Sequence, residues 1–185
     1  MKLRSVARRD TAPFAIRPER AGDIAAREAL LDVCFGSNRN LRTCQRLRDG
    51  RTPAQGLAFT ATHRDALIGT LRLWDANAGG RHALVLGPLA VAPQSRSLGV
   101  GAALMRHALN EAKRLGHGAV VLLGDAPYYE RFGFSAEVAA KLALPGPFER
   151  ERLLGLELTP GALDGADGLI VATGAMASAA LRAAA

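Results

Sequence analysis

The sequence has little of what disulfide-stabilised, zinc-binding or membrane-spanning proteins need. It contains two cysteines, Cys34 and Cys44, which lack the spacing of a redox pair and are too few for a zinc site. We therefore predict two reduced, packed thiols and no structural disulfide. The longest apolar stretches, HALVLGPLAV and GAVVLLG, are far shorter than the roughly 20 residues that cross a bilayer. These absences predict a cytoplasmic protein without a membrane partner.

Aromatic residues are also few, which weighs against binding to nucleic acid. One tryptophan, two tyrosines and six phenylalanines are scattered along the chain, and no basic run is interleaved with stacking rings. The net charge of +7 fits nucleic acid, an anionic small molecule or a generally basic proteome equally well. We expect no nucleic-acid partner. Arg39, Arg42 and Arg46 are expected to share a solvated face.

The 185 residues, 49% of them hydrophobic, are enough for one well-buried core. We predict a basic flexible tail at residues 1–13, a domain at 14–163 and a C-terminal strand or tail at 164–185. The periodicity predicts an alternation of strands and helices with one crossover helix, typical of an α/β domain. The expected elements are a strand at Phe14–Arg17, a helix at Ala21–Phe35, a second helix in RNLRTCQRLRD, a meander of Leu57–Thr62, Leu67–Trp74 and HALVLGPLAV, a helix from Val100 to Leu115, a buried strand at Ala119–Gly124, a short helix in PYYERFGF, and strands in RLLGLEL and GLIVA.

Two glycines, Gly99 and Gly101, stand where the third strand gives way to the long helix. The first N–H groups of a helix lack intrahelical partners, so an anion is stabilised there if the chain lets it approach. Arg96 could add charge-assisted hydrogen bonds. The same glycines would also suit a plain helix start. A Rossmann fingerprint fails because its third glycine position is Leu104, and a phosphate loop of the Walker type fails because no Gly-Lys-Ser/Thr follows.

The strand before this loop contains Gly87-Pro88 in its middle. Proline cannot donate to a sheet ladder, so the strand must bulge or lie at an edge there. The bend would leave backbone groups unpaired from Leu89 to Val91, where a ligand with amide groups could pair as an added strand does. A ligand that places phosphates at the loop and amides along the strand has the chemistry of coenzyme A.

The segment LGPLAVAPQSRSLGVGAALM resembles the acetyl-CoA-binding segment of the GNAT superfamily of N-acetyltransferases. Arg96, Gly99 and Gly101 match its signature position by position, and Tyr129 in LLGDAPYYERFGF matches a tyrosine that precedes a Gly-Phe pair. The likeness is closest to a bacterial branch that carries LLGD and YYxRFGF. It implies a single-domain fold with a mixed, mostly antiparallel central sheet, a splayed strand and flanking helices. It further implies that acetyl-CoA, without a metal, is held by Leu89, Ala90, Val91, Arg96, Ser97, Leu98, Gly99, Val100, Gly101, Ala102, Asp125 and Tyr129.

The resemblance implies direct attack of a primary amine, on a small molecule or a peptide, on the thioester. The backbone N–H of Leu89 or Ala90 would then stabilise the oxyanion, and Tyr129 would be the general acid for the departing thiolate. Tyr128 is expected to pack. Asp125 stands where relatives often carry an asparagine; it could accept a hydrogen bond from pantetheine or cap the next helix.

A general base is harder to find, because HALVLGPLAV contains no carboxylate. His82 begins that strand, and an imidazole has a suitable intrinsic pKa; Asp75 lies at the end of the preceding strand. Either could act through water, although both also fit a solvated loop. The missing base leaves open an alternative function, a CoA-binding sensor or interaction module. His63, His107 and His117 lack metal-ligand spacing, so no metal is assigned.

Two further questions stay open. Trp74 could line the acceptor pocket or fill the core, and packing is favoured. Pairing of two copies through an exposed sheet edge would give a homodimer.

Overall fold

The structure, a computed structural model, describes residues 13–178. The predicted N-terminal tail lies outside this range except for Pro13, as do residues 179–185 at the other end. The strands are β1 (Ala15–Pro18), β2 (Ala58–His63), β3 (Ala66–Ala78), β4 (Arg81–Val91), β5 (Ala119–Leu123), β6 (Leu142–Ala143), β7 (Leu153–Glu157) and β8 (Gly168–Ala172), and the α-helices are α1 (Ile24–Phe35), α2 (Val100–Arg114) and α3 (Ala126–Tyr129).

The strands form one sheet in the order β1-β2-β3-β4-β5-β7. Neighbours are antiparallel except β4 and β5, which are joined by the crossover helix α2 and run parallel. The last strand, β8, pairs with the far half of β3 and with β6. The mixed, mostly antiparallel sheet predicted from the sequence is therefore confirmed.

The meander forms as predicted, with a tight turn at Arg64 and Asp65, which both have positive φ. Its second and third strands are longer than predicted. Both β3 and β4 continue to a turn at Gly79 and Gly80, where a longer loop was expected.

The second predicted helix is wrong. Residues Ser37–Leu41 and Thr43–Leu47 form two short 3-10 turns, interrupted at Arg42, which is extended. The arginines expected to share a solvated face are instead held by different partners. Arg39 pairs with Glu28 and Asp32, and Arg46 donates to the carbonyl of Pro145. These contacts are made outside the segment, so its own periodicity could not show them.

The core has two parts because each strand presents alternate residues to opposite faces. Leu71, Leu73, Leu84 and Leu86 belong to the part that includes the buried stripe of α2. Trp74 belongs to the other part, which agrees with the packing role favoured for it.

No helix within residues 13–178 is both long enough and apolar enough to span a membrane.

Candidate functional site

The centre of the site is the point where β4 leaves β5. The two strands pair only at Leu84 and Val85 of β4. Beyond them β4 bulges, because Leu86 and Leu89 lie opposite Leu73 and Leu71, so that two residues, Gly87 and Pro88, face one residue of β3. Trp74 Nε1 donates to the Gly87 carbonyl at 2.5 Å, which holds the bulge in place. The second half of β4 is thus bound on one edge and separated from β5 on the other.

The open edge of β4 exposes particular backbone groups. The N–H of Ala92 donates to Ile68 of β3 at 2.8 Å. Because hydrogen-bonding direction alternates along a strand, Ala90 also faces β3, whereas Leu89 and Val91 face the open edge. The thiol of Cys34, at the end of α1, lies 3.4 Å from the Val91 carbonyl on this edge.

The helix α2 begins directly after this edge, with Gly99 as its N-cap. Gly99 has φ of 75° and ψ of 12°, the left-handed conformation that glycine adopts without steric cost. A Cβ at Gly99 would meet nothing within 4 Å, so the space before the helix start is open. Within the described residues no side chain caps α2, and Arg96 is exposed with no ion pair. Ser97 and Leu98 are exposed beside it. Free N–H groups and a free guanidinium suit a phosphate.

Gly101 serves a different purpose. A Cβ at this position would lie 2.8 Å from the hydroxyl of Tyr128 and 3.5 Å from Val91 Cγ2. The missing side chain therefore makes room for Tyr128, which reaches from α3 to the first turn of α2. The guanidinium of Arg131 lies over the Tyr128 ring at 4.0 Å. The sequence alone favoured packing for Tyr128 and did not predict this contact.

Tyr129 lies beside Tyr128, with the two rings edge to face at 4.9 Å. Its ring packs against the backbone at Gly124, where a side chain would clash, and against Phe134. Burial raises the pKa of Tyr129 to about 12, with Tyr128 adding to the rise. The phenol is consequently protonated throughout the neutral range.

Asp125 precedes α3 and is exposed. Its carbonyl accepts the N–H groups of Tyr128 and Tyr129, but its side chain makes no capping hydrogen bond within the part of the chain that the structure describes. Its predicted contact with the cofactor stays a prediction.

His82 does not join this site. It lies at the beginning of β4, five residues before Gly87, which is about 16 Å along an extended strand. Its Nε2 is 3.3 Å from Asp75 Oδ1, and its ring stacks on His117 at 5.6 Å between centroids. Burial lowers the pKa of His117, and Asp75 opposes the change. The sequence suggested His82 as a possible base, acting through water, because HALVLGPLAV contains no carboxylate; that role stays a prediction.

A cavity of about 410 Å³ lies near the first strands of the sheet, lined by residues that follow β1, precede β2 and include Arg72 of β3. A Cβ at Gly69 would point at Val100 and Leu104 of α2, so by alternation Arg72 faces away from α2. Arg72 lies opposite the bulge and lines the cavity.

Glu19 also lines this cavity, with a side chain 9% exposed. It accepts from Arg72 Nε at 2.8 Å and from Arg27 Nη1 at 2.5 Å. Burial raises the pKa of Glu19 to about 7, although Arg27 opposes the rise. No sequence signal pointed to Glu19, since a single glutamate after a short strand has no pattern.

A strand that opens towards an uncapped helix start, beside a protonated tyrosine, is the arrangement expected of an N-acetyltransferase. The comparisons with known proteins agree. Residues 54–136 match the family model of the acetyltransferase (GNAT) domain. The chain is also 29% identical over 157 residues to the uncharacterized N-acetyltransferase YhbS of Escherichia coli K12, covering 84% of this chain and 93% of that protein.

Solved structures give the same result. The crystal structure of Escherichia coli YhbS in complex with CoA matches with a TM-score of 0.75 and 28% identity, covering 88% of this chain and 91% of that one. A GNAT acetyltransferase from Brucella melitensis in complex with acetyl-CoA matches with a TM-score of 0.61 and 26% identity, covering 92% and 99%. Over residues 54–136 in sequence, and in overall fold, the chain is therefore similar to the GNAT acetyltransferases.

Proposed function

We propose that this protein transfers the acetyl group of acetyl-CoA to a primary amine by direct attack of the amine on the thioester. The observation that carries the proposal is the open edge of β4, which leads from the bulge at Gly87 to the uncapped start of α2. The two relatives crystallised with CoA and acetyl-CoA support the choice of donor.

The donor is held in two parts. Its pyrophosphate accepts hydrogen bonds from the N–H groups of residues 99–102 and from Arg96, since a helix start and a guanidinium both favour negative charge. The amides of the pantetheine arm pair with the backbone groups that Leu89 and Val91 turn to the open edge, as an added strand would.

The oxyanion formed by attack needs a hydrogen-bond donor. The sequence left Leu89 and Ala90 open for this role, and the direction of the backbone favours Leu89, because the N–H of Ala90 is turned towards β3. Loss of one such donor in an enzyme costs about 10²–10³ in kcat. A main-chain donor cannot be removed by substitution, so its test is indirect, through the bulge that orients it.

Tyr129 acts on the leaving group. When the amine nitrogen bonds to the carbonyl carbon and the C–S bond breaks, the electron pair stays on sulfur. A phenol with a pKa of about 12 holds its proton more tightly than a thiol of pKa about 8.5, so Tyr129 stabilises the thiolate as a hydrogen-bond donor. The acetylated nitrogen releases one proton to solvent as it becomes a neutral amide, and the thiolate takes one proton from solvent.

The acceptor amine binds in the cavity on the Arg72 face. Glu19 is the ionisable group there whose pKa suits removal of a proton from an ammonium ion near neutral pH. Three strand spacings separate Glu19 from β4, about 14 Å between backbones, so the proton moves through water. Arg20 and Arg51 also line the cavity and favour an acceptor that carries an anionic group.

The experiment is a comparison of Tyr129→Phe with the unaltered protein. Turnover, measured as CoA release with a panel of amines, amino acids, polyamines and peptides, should fall at least tenfold in the variant. The Kd for acetyl-CoA, measured by calorimetry, should change less than twofold. Equal turnover would remove Tyr129 from the mechanism. Tight acetyl-CoA binding without turnover on any acceptor would favour the sensor function over the transferase.

A further inference from the structure

Three side chains with metal-binding atoms meet at the end of the sheet farthest from the proposed acetyl-CoA site. They are Asp75 of β3, His82 at the start of β4 and His117 in the connection from α2 to β5. One ligand atom from each lies within 4.8 Å of those of the other two. We infer that Asp75, His82 and His117 form a binding site for a divalent transition-metal ion, with Zn²⁺ as the best-fitting candidate.

The spacing of these atoms suits a zinc ion. Zinc–nitrogen and zinc–oxygen bonds are about 2.0–2.2 Å, so neighbouring ligand atoms of a tetrahedral site are about 3.4 Å apart. The separation of 3.3 Å between His82 Nε2 and Asp75 Oδ1 already matches this value. The side chain of His82 is 57% exposed and is free to turn. Rotation of this side chain, without a backbone shift, can therefore bring its ligand atom to the distance from His117 that a shared ion needs.

The backbone holds the three residues in place. Asp75 lies opposite Leu84 in the ladder, and its carbonyl accepts the N–H groups of residues 173 and 174. His82 lies opposite Asn77, two residues along, so Asp75 and His82 are diagonal neighbours on one face. The N–H of His117 donates to Ala112, which closes the end of α2. A site of this kind needs little ordering of the chain when the ion binds.

Two imidazoles and one carboxylate favour zinc and its neighbours over magnesium or calcium, which prefer oxygen ligands. Three protein ligands leave a fourth position of the tetrahedron. A cavity of about 560 Å³, lined by Asp75 and His117 together with Gln55 and Arg114, gives that position room for water or a small anion.

Sequence spacing indicates a metal site only where the ligands lie close together in the chain, whereas these three come from different elements. The ion would join β3, β4 and the α2–β5 connection, and so stabilise the part of the sheet where β4 and β5 still pair. The site lies beyond the far end of α2, a 15-residue helix, and so about 22 Å from its start.

The test uses the full-length protein, freed of metal by a chelator and then titrated with Zn²⁺ and with Co²⁺. Calorimetry should show one Zn²⁺ per chain, and Co²⁺ should give the visible absorption of a tetrahedral site. His117→Ala and Asp75→Asn should each weaken binding at least about tenfold. His107→Ala is the matched control, because that ring packs against Phe59 and lies outside the cluster. It should bind the ions as the unaltered protein does.

A second measurement needs no variant. Zn²⁺ should shift the imidazole NMR signals of His82 and His117 and leave those of His63 and His107 unchanged. Either of two results would overturn the site: no stoichiometric Zn²⁺ binding, or binding that His117→Ala and Asp75→Asn leave as tight as in the His107→Ala control. Acetyl-CoA affinity, measured on the same samples, reports separately on the proposed transferase function.

Discussion

The hydroxyl of Tyr128 occupies the space where a side chain on Gly101 would begin, 2.8 Å from the position of its Cβ. This contact joins α3 to the first turn of α2, next to the last residue of β4. The element that carries both tyrosines is thereby positioned against the proposed pyrophosphate site. The shape of the proposed pyrophosphate site therefore depends on the position of α3, and the position of α3 on that site.

A double-mutant cycle tests this dependence. Gly101→Ala should weaken acetyl-CoA binding about tenfold, or ~1.4 kcal/mol, because the new methyl group forces Tyr128 or the helix start to move. In a Tyr128→Phe background the nearest atom to the methyl group becomes Val91 Cγ2 at 3.5 Å, an ordinary contact. Gly101→Ala should therefore cost little there. Calorimetry on the four proteins measures the coupling.

Gly22→Ala is the control for this cycle, because a Cβ at Gly22 meets nothing within 4 Å. It should leave acetyl-CoA affinity unchanged in both backgrounds. If Gly101→Ala weakened binding equally with and without the Tyr128 hydroxyl, the contact would not be the cause.

The role proposed for Glu19 predicts a particular pH profile. A base must be deprotonated to act, so kcat/KM should rise with pH through about 7 and then level off. Glu19→Gln should lower kcat/KM and remove this rise, while acetyl-CoA affinity stays the same. The measurement is the initial rate of CoA release from about pH 5 to about pH 9, with about two points per pH unit.

Glu28→Gln is a matched control for Glu19→Gln. Glu28 is also a partner of Arg27, but it does not line the cavity. Both variants therefore remove one carboxylate partner of the buried Arg27, and only Glu19→Gln should change the pH profile. Equal loss in both would assign Glu19 a structural role.

Acid stability should depend on Asp23. Hydrogen bonds from Arg17, at 2.7 and 2.8 Å, lower the pKa of Asp23 to about 2 from its usual 3.8. Because the folded pKa is the lower one, the charged form favours folding above about pH 4, and this contribution is lost as the pH falls from about 4 to about 2. Asp23→Asn should flatten the fall in unfolding free energy over that window, measured by denaturant titration. Asp167→Asn, at an exposed position, should retain it.

Two buried hydroxyls should be dispensable for stability. Thr60 and Thr70 lie opposite each other on β2 and β3, both fully buried, and neither Oγ1 has a hydrogen-bond partner among residues 13–178. An unpaired buried hydroxyl costs about 1–3 kcal/mol, so replacing both by valine should leave the unfolding free energy unchanged or raise it. Thermal and urea unfolding measure this, with half-buried Thr62→Val as the control. A loss above about 1 kcal/mol would mean that the hydroxyls do pair.

The sequence was a good guide where short-range physics decides. The alternation of residues 57–74 and the stripe that begins at Val100 predicted β2, β3 and α2, because burial on one face imposes a period on each element. Gly87-Pro88 predicted the bend in β4 for a similarly local reason, since proline has no N–H. The sequence pattern was a poor guide at residues 37–47, where arginine contacts with distant groups outweigh the helical pattern.

By itself, then, the sequence determined the order of elements, the bent strand and the glycine at the start of α2, and these point to the donor acetyl-CoA. Only the tertiary structure decided that Leu89 and not Ala90 faces the open edge, that Tyr128 fills the space at Gly101, and that His82 lies with Asp75 and His117. The physical reason is that a period or a turn depends on neighbours in the chain, whereas a site depends on which strands and loops the sheet brings together.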